Sequence, residues 1–165
     1  MRHDVAGVAV RDAQIGEIAT LRSLIADALA GAPYAESAQY YLQLAALGRS
    51  QESRALVAER DGEVVGFVLF GDVAGAVGTG RLLLVGVRPD SRRTGIGTEL
   101  CDAAATELEV RGARTVVVEM PEDASTAGCR AALERCGFID VARVPDYYRD
   151  DVPLVVLQRI KPAST

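Results

Sequence analysis

The sequence predicts one mixed α/β domain, and three observations carry that reading. The chain has 165 residues, the length of a single domain, enough to bury a core without disulfides or metals to staple it. Two continuous apolar runs, Leu82–Val87 and Thr115–Met120, flank a stretch of helical periodicity. That order of strand, helix and strand implies parallel strands joined by a right-handed crossover. Ala55–Glu59 and Val64–Phe70 meet at Asp61-Gly62, a dipeptide suited to the tight turn of a β-hairpin.

The elements follow in chain order. Val5–Val10 reads as a first strand. Asp12 is placed to cap a helix whose apolar positions Ile15, Ile18, Leu21, Ile25 and Ala28 keep a 3.6-residue period. Gly31-Ala32-Pro33 ends it, and a second helical stretch, Ser37–Leu47, carries Tyr40, Tyr41, Leu44 and Leu47. The hairpin comes next, then a glycine-rich connection, Ala74–Gly80. Leu82–Val87 is apolar on both faces, as a strand covered on both sides must be. Ile96–Val110 is a helix with Leu100, Ala104 and Leu108 along one side, ended near Gly112. After Thr115–Met120, Ser125 opens a helix that runs to about Cys136 and stops at Gly137. Phe138–Val144 and Pro153–Ile160 are the last strands, joined by a polar link containing Tyr147 and Tyr148. The order is β-α-α-β-β-β-α-β-α-β-β, one domain over residues 1–165 with its core between about 5 and 160.

Composition narrows the function classes. With 18 basic and 23 acidic residues the net charge is −5, which disfavours a nucleic-acid partner and suits a cationic substrate. No apolar run approaches the roughly 20 residues a membrane-spanning helix needs. Met1-Arg2-His3-Asp4 lacks the apolar core of a signal peptide, so the cytoplasm is the expected location. Cys101, Cys129 and Cys136 form no C-x-x-C pair, and His3 is the sole imidazole, so no metal site is expected. Cys129 and Cys136 lie about 10 Å apart along one helix, too far for a disulfide. All three read as small buried apolar residues.

The segment richest in chemistry is Val85-Gly86-Val87-Arg88-Pro89-Asp90-Ser91-Arg92-Arg93-Thr94-Gly95-Ile96-Gly97-Thr98. A strand runs into a turn, passes two arginines and enters a helix through two glycines. A helix start stripped of side chains presents free N–H groups at the positive end of the macrodipole, an arrangement that binds phosphate. The arginines add charge. A P-loop is excluded, since no Gly-Lys pair occurs and Lys161 is the only lysine. A dinucleotide fingerprint is excluded because Leu100 stands where its third glycine belongs.

Arg92-Arg93-Thr94-Gly95-Ile96-Gly97 matches R/Q-x-x-G-x-G/A. With the Val-x-Val-x-Pro strand before it, a β-strand after it and the later Gly137-Phe138, the chain resembles the GCN5-related N-acetyltransferase superfamily over residues 5–160. The resemblance implies a mixed, mostly antiparallel sheet flanked by helices, in which Leu82–Val87 and Thr115–Met120 form a splayed parallel pair. It implies acetyl-CoA as co-substrate and an amine as acceptor, and a homodimer is compatible with it; that no metal, nucleic acid or membrane is expected rests on the composition above. The pyrophosphate would sit on N–H groups of Arg93, Thr94, Gly95, Ile96, Gly97 and Thr98, with Arg92 adding charge. The pantetheine arm would pair with backbone at Val85 and Val87. Gly86 would permit the bulge that opens the strands, or be a glycine kept for close packing.

The implied chemistry is direct attack of a neutral amine on the thioester, with a backbone N–H near Val87 stabilising the tetrahedral oxyanion. The family's acidic tyrosine lies four residues before Gly-Phe, where this chain has Leu133, and its asparagine near the helix start is replaced by Ser125 and Thr126. Tyr148, or its neighbour Tyr147, is the substitute for protonating the leaving thiolate. Glu119 is the candidate base, its carboxylate raised by burial among apolar neighbours, with relayed water as the alternative. Asp150 and Asp151 could hold a cation. Acceptor choice is expected from Pro33–Tyr41, with Tyr34, Tyr40 and Tyr41, and from Pro145–Val152. The expectation is an N-acetyltransferase of a primary amine. A non-catalytic acyl-CoA sensor and an aminoacyl-tRNA-acetylating toxin are the alternatives.

Overall fold

The computed structural model describes residues 4, 5, 7–30 and 53–161. Within them the chain forms β1 (Asp4–Val5), β2 (Val8–Asp12), a 3₁₀ turn (Ile15–Glu17), α1 (Ile18–Ala28), β3 (Arg54–Arg60), β4 (Glu63–Asp72) and β5 (Thr79–Val87). A second 3₁₀ turn (Pro89–Ser91), α2 (Ile96–Val110), β6 (Thr115–Pro121), α3 (Ala127–Arg135), β7 (Ile139–Arg149) and β8 (Val152–Ile160) follow. The strands make one sheet in the order β1-β2-β3-β4-β5-β6-β8-β7, antiparallel except where β5 meets β6. The mixed sheet and its parallel pair are as expected. The helical stretch expected at Ser37–Leu47 lies outside the described residues.

Local chemistry accounts for the departures. The first expected strand is a hairpin of two, broken by Gly7 at φ +80°. Asp12 does not cap a helix. It ends β2 and pairs with Arg54 at 2.8 Å, while the helical region opens with a capping box of Gln14 and Glu17. Arg11 clamps that start against β3, with Glu17 at 2.6 Å and Glu59 at 2.7 Å. Asp61 and Gly62 both take positive φ, +54° and +82°, as a two-residue hairpin turn requires.

Two apolar layers sandwich the sheet. On one face α2 and α3 bury Ile96, Leu100, Leu108 and Leu133 against Val116, Val118, Val155 and Leu157. On the other, α1 packs Leu21, Leu24 and Ile25 on Val57, Phe67 and Leu69. Each such side chain contributes about 1.5–3 kcal/mol by leaving water.

The sheet opens in its middle. The β5–β6 ladder runs from Thr79↔Thr115 to Leu82↔Val118 and stops, although β5 continues to Val87 and β6 to Pro121. The irregularity in β5 falls at Leu83, where Leu69↔Leu84 is followed by Phe70↔Leu82. The bulge is therefore not at Gly86. A Cβ on Gly86 would stand 2.5 Å from the Phe67 ring and 3.2 Å from the Ala28 Cβ, so glycine there serves close packing of α1 on the strand. Gly86→Val is expected to lower unfolding stability by about 2–3 kcal/mol through overpacking. Denaturant titration should show a lower midpoint with unchanged slope; an unmoved midpoint would mean that Phe67 swings aside without cost.

Candidate functional site

The opening in the sheet and the start of α2 form one continuous feature. Its strand side is set by hydrogen-bond parity. The Arg88 N–H donates to the Val65 carbonyl at 2.8 Å, toward β4. In that trans peptide the Val87 carbonyl points the opposite way, into the opening. The Val87 N–H shares that edge, because the N–H and C=O of one strand residue point to the same side. With β6 withdrawn, the Val87 N–H, and the backbone edge at Val85 two residues back, are left for another partner.

At the far end, the turn into α2 is built to present donors. Arg93 adopts φ +62° and Gly95, the N-cap of α2, φ +87°, so consecutive N–H groups curve around one point. Gly95 supplies the left-handed conformation that a side chain would strain. The first helical bond runs from the Glu99 N–H to the Gly95 carbonyl at 3.0 Å, leaving the N–H groups of Ile96, Gly97 and Thr98 outside the helical ladder. Thr94 fixes the turn by donating its hydroxyl to the Ser91 carbonyl at 2.7 Å. Ser91 is fully buried, accepts from Arg60 at 2.7 Å and donates to Asp90 at 2.8 Å. Arg88 braces the same segment, and its hydrogen bond holds the Asp90 carboxyl below its ordinary pKa. A Cβ on Gly97 would meet Val87 at 3.8 Å and Ala132 at 3.9 Å, so Gly97 lies between the strand end and α3.

The two arginines diverge. Arg93 is exposed and has no partner among the described residues, which leaves its charge at the turn. Arg92, expected to add charge beside the phosphates, also donates to two backbone carbonyls. Its Nε donates to the Val87 carbonyl at 3.1 Å and its Nη2 to the Ala28 carbonyl at 2.9 Å.

Glu119 is the first residue of β6 beyond the last β5–β6 pair. Val116, Val118 and Met120 face the α2 side, so Glu119 faces the α1 side of the sheet. It is exposed, so the burial expected for it is not found. Tyr147 and Tyr148 lie within the bounds of β7 but in its unpaired bulge, 145–148, between the Val144↔Leu154 and Arg149↔Val152 pairs; the hairpin turn is at Asp150 and Asp151, both exposed. Their rings meet edge-on at 5.0 Å, with Tyr148 the less exposed, 41% against 59%. Leu154↔Pro121 pairing, the Glu122 N–H to Pro153 carbonyl bond of 3.1 Å and the Arg149–Asp123 ion pair of 3.1 Å hold this hairpin end beside the end of β6 where the sheet opens.

Two family positions are filled by packing groups. Leu133 is 1% exposed and belongs to the core. Thr126 is buried and donates to the Pro121 carbonyl at 2.7 Å, tying the end of β6 to the start of α3. Cys101 is fully buried, and Cys129 and Cys136 pack on the same core. Burial pushes the Cys129 thiol up to about 12 and that of Cys136 to about 11, where thiolate is scarce near neutrality. The Cys136 thiol lies 3.3 Å from the Thr98 carbonyl, behind the helix start. Among the described residues no group of His, Cys, Asp and Glu is placed to hold a metal, and no helix is long and apolar enough to cross a membrane. Tyr34, Tyr40 and Tyr41 lie outside the described residues. The contacts of Arg92 and the Phe67 ring behind Gly86 were missed by sequence reading, since both pair residues distant in the chain.

Residues 18–138 match the model of the acetyltransferase (GNAT) family, and the chain belongs to that family. It is 34% identical over 83 residues to the mycothiol acetyltransferase of Streptomyces coelicolor, a match covering 50% of this chain and 26% of that protein. The chain thus spans about a quarter of the length of the curated relatives it matches. A GNAT-family structure from Desulfovibrio desulfuricans superposes with a TM-score of 0.82 at 22% identity, covering 93% of this chain and 98% of that one. Another, from Salmonella typhimurium and solved with its cofactor acetyl-CoA, gives 0.76 at 18% identity and covers 96% of both chains. These structures share the fold.

Proposed function

We infer that this chain binds acetyl-CoA as co-substrate and transfers the acetyl group to a primary amine. The observation that carries the reading is the broken ladder: the edge freed at Val85 and Val87 runs straight into a helix start rich in unspent N–H groups. An extended pantetheine arm needs the first and a pyrophosphate the second. Arg93, Thr94, Gly95, Ile96, Gly97 and Thr98 would hold the phosphates, and Gly86 keeps α1 seated on the strand beneath the arm.

In the transfer step an amine attacks the thioester carbonyl, the C–S bond breaks, and thiol and amide are the products. The Val87 N–H donates to the developing oxyanion, a contribution of about 3 kcal/mol for one such donor. Glu119 takes the ammonium proton, directly or through water, from the α1 side of the sheet. Tyr148 gives a proton to the departing sulfur. One observation favours a second reading, a non-catalytic acyl-CoA sensor: Leu133, at the position of the family's tyrosine, is sealed in the core.

Calorimetry with acetyl-CoA and an assay of free thiol across a panel of primary amines separate the two. Binding with amine-dependent thiol release is the expected result. Binding without turnover on any amine would establish the sensor, and no binding would dispose of both.

A further inference from the structure

Arg92 occupies a junction that its place in the phosphate turn does not explain. Its guanidinium joins the last residue of α1, through the Ala28 carbonyl, to the end of β5, through the Val87 carbonyl. The Ala28 carbonyl is one of the four a helix leaves without internal partners, and a cation there also meets the negative end of the macrodipole. The bond spans 64 residues of sequence. Beside it, Ala28 is the residue a Cβ on Gly86 would touch at 3.2 Å, so the end of α1 rests directly on the opened strand.

The opening at Val87 has two mouths, one on each face of the sheet. The mouth on the α2 and α3 side carries the N–H cradle at 93–98. The mouth on the opposite side is bounded by the end of α1 over Gly86 and, across the gap, by exposed Glu119 on β6. With a phosphate-bearing ligand in the first mouth, the second is the approach to the Val87 edge left among the described residues. The end of α1 is one margin of that mouth, and Arg92 holds it. We propose that Arg92 is a positioning residue that pins α1 to the coenzyme strand and thereby sets affinity for the acceptor, not for acetyl-CoA. This rests on the acetyltransferase reading above.

The test compares wild type, Arg92→Ala and Arg92→Lys as full-length proteins. Arg92→Ala should raise KM for the best amine of the panel on the order of tenfold, as expected from losing one or two charge-assisted hydrogen bonds. The dissociation constant for acetyl-CoA by calorimetry should stay within about threefold. Arg92→Lys, which keeps a cation able to donate to one carbonyl, should recover part of the loss. Hydrogen exchange of the last turn of α1 should quicken in Arg92→Ala without ligand. Tenfold weaker acetyl-CoA binding with unchanged amine KM would make Arg92 a phosphate ligand and overturn the proposal. So would unchanged constants in both variants, or unchanged exchange. If wild type binds no acetyl-CoA, the acetyltransferase reading and the acceptor role fall together, while exchange still reports on the clasp.

Discussion

Gly97→Leu is expected to abolish acetyl-CoA binding while leaving the protein folded. A Cβ at position 97 meets Val87 and Ala132 at ordinary contact distances, 3.8 and 3.9 Å, so the first carbon fits. Leucine is also the better helix former, by about 0.8 kcal/mol, so the exchange carries no propensity cost. The remaining carbons must project between the end of β5 and α3, beside the donors of the turn. A pyrophosphate seated on those donors needs the backbone bare at this point. The expected loss in affinity is at least on the order of a hundredfold, equivalent to about 2.7 kcal/mol. Gly97→Ala should bind nearly as wild type, and circular dichroism should show both variants folded. Retained affinity in Gly97→Leu would place the pyrophosphate elsewhere.

That experiment uses the part of the site most open to sequence reading, and the reason is physical. The turn, its glycines and the strand before it are contiguous, so their chemistry is written in one stretch. The hairpin at Asp61-Gly62 was legible for the same reason: two residues of positive φ demand these residue types. Asp12 shows the limit. It has the side chain of a cap, yet Arg54, 42 residues on, claims it, and Gln14 with Glu17 takes the capping role. For Gly86 the sequence left bulge and close packing both open, and for Arg92 it showed neither carbonyl, because the Phe67 ring and the Ala28 carbonyl become neighbours of these residues only when the chain folds. The segment 145–149 read as a link because Pro145, Asp146 and Arg149 are polar or strand-breaking. In the structure 145–148 bulge out of β7, opposed by Pro153 alone between the Val144↔Leu154 and Arg149↔Val152 pairs, with Asp146 at φ +50°; the exposed edge of the sheet tolerates such an interruption.

Tyr148→Phe is expected to cut turnover by roughly 10²–10⁴-fold, the range over which positioned acids act, with acetyl-CoA affinity little changed. Expulsion of a thiolate is where an acid matters, and a phenol hydroxyl is a proton donor suited to that task. Leu133 cannot, and its position cannot be borrowed, since it is 1% exposed among core side chains where a phenol would be overpacked. The hairpin end is the alternative the fold offers. Register and the Arg149–Asp123 pair hold it next to the end of β6, at the open side of the sheet. Of its two tyrosines Tyr148 is the more enclosed, and Tyr147 packs edge-on against it. Tyr147→Phe keeps that ring and should therefore leave turnover within about threefold, a change well below an acid's contribution. Single-turnover thiol release at saturating amine reads the step directly. An unchanged rate in Tyr148→Phe would remove Tyr148 from the mechanism, and a large loss in Tyr147→Phe alone would transfer the role to its neighbour.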